Sequence, residues 1–252
     1  MFEGIDLLVV AVVAVAFFLG GVLKGVIGLG LPLVAIPIIA LVMPVAKAIP
    51  LMLAPGYIMN VIQMRQTWHA RMPLLGWWPL FVGMGAGVGL GVHFATNAPE
   101  NLMRGVLGAT IILFVGLSFA RIQIPKRTVE NPAAGLTMGG VTGLFGGLTG
   151  VFGPTLAMYF LARQLEKDRF VWIMAVVMLT GVVFLGGALT AAGGLSQDQL
   201  AGTVAVLVPS WLGLSAGALV RRRVSQETFR KVALAVLAVM GVSLLGAALG
   251  WS

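Results

Sequence analysis

Residues 21–33 read GVLKGVIGLGLPL, four glycines, a proline and one lysine inside an apolar run. Residues 143–156, GLFGGLTGVFGPTL, echo it. Shifted by 122 positions, Gly21 falls on Gly143, Gly25 on Gly147, Gly28 on Gly150 and Pro32 on Pro154. Ala35 also falls on Ala157 and Ala40 on Ala162, making six identities in twenty positions, and Lys47 lands on Arg169 just beyond. A shift of 127 pairs Glu100 with Glu227 and Arg104 with Lys231; the five-residue difference fits the longer loop around GGLSQDQ. The pattern predicts a duplicated chain.

Around these stretches the composition is that of a membrane protein. Of 252 residues, 59% are hydrophobic and 10% charged, against about a quarter charged in soluble domains. Uncharged stretches such as 7–23, 25–46, 72–99, 132–162, 170–197 and 199–220 are near or above the roughly 20 apolar residues that span a bilayer. The fold class expected is an all-α polytopic membrane protein. The absence of cysteine excludes disulfides, thiol catalysis and cysteine–metal sites. The acidic start, MFEGID, lacks the basic region of a signal peptide, so the first apolar segment is expected to be retained.

The net charge of +8 is unevenly placed. Loops 65–71, 121–131, 163–169 and 221–231 hold 13 of the 16 basic residues, while the N-terminus, the 193–199 loop and the C-terminus hold none. Basic loops stay on the cytoplasmic side, which predicts periplasmic termini in a multi-pass protein of the bacterial inner membrane. It also reads the charge as lipid- and topology-related, with no nucleic-acid partner. Loops 121–131 and 163–169 then share a side, so the segment between them must enter and leave on one face. The predicted organisation is a first repeat, 1–127, with hairpin 5–46 and spans 48–66, 72–97 and 100–120. A second repeat, 128–252, has hairpin 132–163 and spans 169–193, 199–220 and 228–250. Each repeat is a glycine-broken hairpin plus three crossings, an odd count, so the two are expected to be inverted. Inverted repeats with discontinuous helices are a common transporter plan, with the substrate near the midplane where the breaks meet.

The broken hairpins carry the candidate chemistry. Irregular backbone at membrane depth must line protein or water, and the start of a new helix attracts anions. Pro32 and Pro154 suit a first helical turn, where a missing N–H costs nothing, so second limbs are expected to begin near Leu31 and Gly153. The candidate substrate-binding residues are Lys24 and Gly25, the amides of Gly28, Leu29 and Gly30, and Gly147. In the second hairpin they are the amides of Gly150, Val151 and Phe152 with Gly153, and the hydroxyls of Thr149 and Thr155. Asn60, three positions from Tyr57 and from Gln63, is a candidate pathway residue. Lys24 is the only charged residue between 7 and 46, where an ionised group costs about 3 kcal/mol on insertion scales. It reads either as the cation that balances an anionic substrate or as a lysine snorkelling to the cytoplasmic interface. The glycines read either as anion-binding breaks or as helix-packing surfaces. None of the eight acidic residues lies mid-span, which argues against coupling through a buried carboxylate. No zinc-hydrolase, nucleophile-elbow or paired-carboxylate pattern occurs, so no enzyme activity, metal or cofactor is expected. Trp77, Trp78, Trp211 and Trp251 read as interfacial belt residues.

The motif GVIGLGLPL, its echo GLFGGLTGVFGPTL, the duplicated four-segment half, the short loops and the size resemble the TauE/SafE family of sulfite exporters. That resemblance covers essentially the whole chain. It implies export of a small sulfur-containing anion such as sulfite or an organosulfonate (sulfoacetate) by a secondary transporter. The alternatives are a small-anion channel on the same site and a non-transporting membrane assembly protein. The expected partners are the small anionic substrate and the lipid bilayer, with a homo-oligomer left open.

Overall fold

The structure is a computed structural model that describes residues 7–27, 31–120, 131–223 and 226–250. Among the described residues all regular structure is helical. In chain order the helices are α1 (Leu7–Ile27), α2 (Leu31–Ile39), α3 (Val45–Ala48), α4 (Leu53–Gln66), α5 (Trp78–Asn97) and α6 (Glu100–Ala120). The second part contains α7 (Pro132–Thr149), α8 (Gly153–Ala162), α9 (Lys167–Ala191), α10 (Gln197–Ala205), α11 (Leu207–Arg223) and α12 (Gln226–Ala248). Among the described residues, five segments are long and apolar enough to cross a membrane: Leu7–Val26, Val45–Gln66, Leu75–Asn97, Asp168–Ala191 and Ala201–Val220. Large apolar side chains stand exposed along them, among them Leu90, Phe94, Val208 and Trp211. Such a surface suits hydrocarbon and not water.

The chain divides into two compact units. The first comprises Met1–Pro55, Pro99–Val115 and Gln197–Ser252. In it α1 packs along α11 and folds back as α2. The α1–α11 seam is glycine against backbone. A Cβ on Gly21 would collide with the carbonyl of Ser210, and one on Gly25 with the carbonyl of Leu214. In return, Gly213 meets the Phe18 carbonyl and Gly217 the Val22 carbonyl. Small residues let helices approach closely enough to gain dispersion energy where lipid gives no hydrophobic drive.

The second unit comprises Gly56–Ala98 and Gly116–Ser196. Here α5 packs along α7 in the same way. Gly143 faces the Met84 carbonyl, Gly147 the Val88 carbonyl, Gly87 the Gly140 carbonyl and Gly91 the Leu144 carbonyl, each so close that an added Cβ would collide with it. These four contacts are those of the first unit moved by 122 positions on the hairpin helix (Gly21, Gly25, Phe18, Val22) and 126 on its partner (Ser210, Leu214, Gly213, Gly217). Each unit takes its hairpin from one half of the sequence and the helix packed on it from the other. The sequence-based division at 127/128 follows duplication along the chain, whereas the compact units follow this exchange.

Prolines account for two irregular spans. The segment 199–220, expected as one helix, is α10 and α11 separated at Val206. Pro209 cannot donate to the Ala205 carbonyl and its ring crowds that group, so the helix yields one turn earlier. In the Val45–Gln66 span, Pro50 opens a 3-10 turn, Pro50–Met52, ahead of α4. Pro55 likewise leaves the Leu51 carbonyl without its helical donor. The Thr203 hydroxyl repairs both faults within the first unit, donating to the Leu51 carbonyl (3.0 Å) and accepting from the Ala54 N–H (2.9 Å). At the start of α3 the Glu100 carboxylate accepts from the Val45 N–H (3.1 and 3.2 Å) while pairing with Arg104 (2.9 Å).

Candidate functional site

Both second limbs begin where the prolines predict. α2 begins at Leu31 and α8 at Gly153, each with a proline as its second residue. The first limbs are long: α1 has 21 residues and α7 has 18, about 31 and 27 Å at 1.5 Å per residue. A hydrocarbon core is about 30 Å thick, so each break stands nearly a full crossing from where its first limb starts. That length differs from the midplane position expected from the sequence.

At the first break, Lys24 is 7% exposed. It stands four residues after Gly20, whose missing Cβ would lie 2.6 Å from the Leu31 carbonyl. Residues four apart share a helix face, so Lys24 is on the side of α1 that meets the start of α2. Gly25 belongs to the seam with α11 instead, where any side chain would strike the Leu214 carbonyl. The expected donors Gly28, Leu29 and Gly30 lie outside the described residues.

At the second break two of the three amides expected to face a ligand, those of Gly150 and Val151, and the hydroxyls of Thr149 and Thr155 are engaged within the hairpin. Gly150 ends α7 in the left-handed conformation (φ 73°, ψ 3°), and its N–H donates to the Gly146 carbonyl at 2.8 Å. Glycine takes that conformation without the Cβ penalty other residues meet. The Val151 N–H donates to Thr149 Oγ1 (3.3 Å), and Thr149 Oγ1 donates to the Phe145 carbonyl (2.7 Å). Thr142 donates to Thr155 Oγ1 (2.8 Å), which donates to the Phe152 carbonyl (3.3 Å). The Phe152 ring lies directly over Gly146 and within 3.1 Å of where a Cβ on Gly181 would stand. Gly153 is buried and approached by the Met178 methyl group, while Gly147 belongs to the seam with α5. In physical terms, an acyclic hydroxyl in a helix interior satisfies itself on a nearby carbonyl unless a better acceptor is supplied.

Asn60 is buried and its Nδ2 donates to the Gly56 carbonyl one turn back (2.7 Å). Tyr57 is half exposed, so the two do not share one environment. Trp78 and Trp211 are exposed as belt residues should be, but Trp77 is buried. Its ring stacks under Arg163, with the guanidinium carbon 4.3 Å from the ring centroid, and Arg163 also donates to the Tyr159 hydroxyl (2.7 Å). This aromatic seat for a loop arginine had no signal in the sequence beyond the four-residue spacing of Tyr159 and Arg163. In the same unit His69 Nε2 lies 3.0 Å from the Asp168 carboxylate, joining two loops that the charge count puts on one side.

Lys24 is thus buried on the α2 side of α1, in a chain of membrane-length apolar helices. No curated protein and no solved structure matches the chain. The family model described as Sulfite exporter TauE/SafE matches residues 13–244 and so runs through both hairpins. The chain belongs to the TauE/SafE family of sulfite exporters, which are membrane transporters.

Proposed function

We propose that the protein is a secondary carrier that moves a small sulfur-containing oxyanion, sulfite or an organosulfonate such as sulfoacetate, outward across the bacterial inner membrane. The observation that carries this reading is Lys24, a side chain more than nine-tenths buried in an apolar helix, where an ionised group costs about 3 kcal/mol on insertion scales. An anion beside it offsets that cost. The start of α2 adds partial positive charge on the same side.

The two halves act as inverted repeats in this reading. It draws support from the seam that recurs in each unit at shifts of 122 and 126, and from the basic loops. With periplasmic termini, α1 runs inward, and Lys24 lies 17 residues beyond Leu7, about 26 Å along the helix. In this reading it lies toward the cytoplasmic leaflet, where an exporter loads. An inside-negative potential then favours exit by about 2.3 kcal/mol per charge per 100 mV. No proton or sodium relay is required, in keeping with the lack of a mid-span carboxylate.

The test is a flux panel in proteoliposomes with sulfite, sulfoacetate, taurine and chloride. Saturable flux of sulfite or sulfoacetate, with counter-transport, is expected, and chloride should pass poorly. Large unitary currents would replace the carrier with an anion channel. No flux of any of the four would leave a membrane assembly role.

A further inference from the structure

The two breaks differ by a reciprocal exchange of side chains. At equivalent positions in the 122-residue register, the first hairpin has Lys24 and Gly30, and the second has Gly146 and Phe152. The exchange has a steric reason. The Phe152 ring occupies the space that any side chain on Gly146 would need, so a cation at 146 and a phenylalanine at 152 are incompatible. Phe152 is 2% exposed and wedged between α7 at Gly146 and α9 at Gly181.

The polar groups follow the same division. In the second hairpin Thr142, Thr149 and Thr155 supply hydroxyls, and every one of them bonds inside the hairpin. Their counterparts in the first hairpin are Gly20, Ile27 and Leu33, which leaves Lys24 as the one polar side chain in that set of positions. An oxyanion arriving at the second break would meet an aromatic ring, no cation, and amides of Gly150 and Val151 already donating. With those two amides engaged and the ring in place, little there offsets the loss of its water.

Resting on the transport reading above, we propose that each chain holds one anion, at the Lys24 break, and that Phe152 is the specificity residue that closes the matching place in the second hairpin. Duplication has thus given one half that binds and one that braces.

The experiment counts radiolabelled sulfite bound per chain at saturation, with purified protein in lipid nanodiscs. One per chain is expected, falling to none in Lys24→Met. Two per chain in the wild type overturns the proposal while leaving the transport reading intact; one per chain surviving in Lys24→Met overturns the proposal and takes from the transport reading the residue that carries it. No sulfite or sulfoacetate bound by the wild type overturns both. The role of Phe152 is read separately, because the chain has no cysteine of its own. Thr142→Cys, fully buried one turn before Gly146, should be inert to a small water-soluble thiol reagent. Adding Phe152→Ala should raise its labelling rate at least tenfold in protein that remains monodisperse. Equal rates in the two backgrounds would show that Phe152 closes nothing.

Discussion

The two hairpins are alike in how they pack and unlike in what they present. Along α1 and along α7, glycines at matching positions press against carbonyls of a partner helix in one shared register. At the breaks the likeness ends. The first has a buried cation, and the second has three threonines bonded inward and an aromatic plug. The difference teaches that the seam glycines and the break glycines do separate work. Seam positions keep the duplicated architecture, because one added methyl group would push two backbones apart. At the breaks the paired positions differ, Lys24 against Gly146 and Gly30 against Phe152.

Substitutions can break that comparison. Phe152→Ala removes a fully packed ring from the second break alone and should cost about 3–5 kcal/mol of stability, read as the unfolding midpoint in mixed micelles. A loss under 1 kcal/mol would mean that the ring is not a wedge. Gly25→Ala and Gly147→Ala strike equivalent places in the two seams. Each should cost about 1–3 kcal/mol by overpacking, and the two losses should agree within about 1 kcal/mol; a large inequality would dissolve the shared register. Gly89→Ala, on α5 with open space around it, is the matched control and should be near neutral. Thr203→Val orphans the Leu51 carbonyl and the Ala54 N–H of the first unit, at a cost of about 2 kcal/mol. Gly150→Ala forces a side chain into the left-handed region and should cost about 1 kcal/mol, with the second hairpin losing thermal midpoint and no binding.

Much of this was legible in the sequence, for reasons that can be named. Proline is best accommodated in the first turn of a helix, so Pro32 and Pro154 located the starts of α2 and α8, although Pro37 also lies inside α2. The identity of Gly21 with Gly143 and of Gly25 with Gly147 announced a repeat, but not that these glycines face a neighbouring helix. That depends on which helix lies beside them, and the partners come from the opposite half of the chain. The i, i+4 spacing of Gly83, Gly87 and Gly91 was the available signal for such a seam. The engagement of the Gly150 and Val151 amides could not be read, because it hangs on one left-handed residue and one rotamer of Thr149. The plug could have been found: a lysine-to-glycine change paired with a glycine-to-phenylalanine change six residues on is a volume exchange visible in the aligned halves. Trp77 looked like its neighbour Trp78, and only the position of Arg163 distinguishes a seat from a belt.

The central claim is that a cation at the first break carries an anion through the membrane. It is met most directly by sulfite efflux from proteoliposomes at an imposed inside-negative potential, wild type against Lys24→Met. The account predicts saturable efflux that quickens as the interior is made more negative, and a fall of at least a hundredfold in the variant. Efflux indifferent to the potential, or equal in the two proteins, would contradict it.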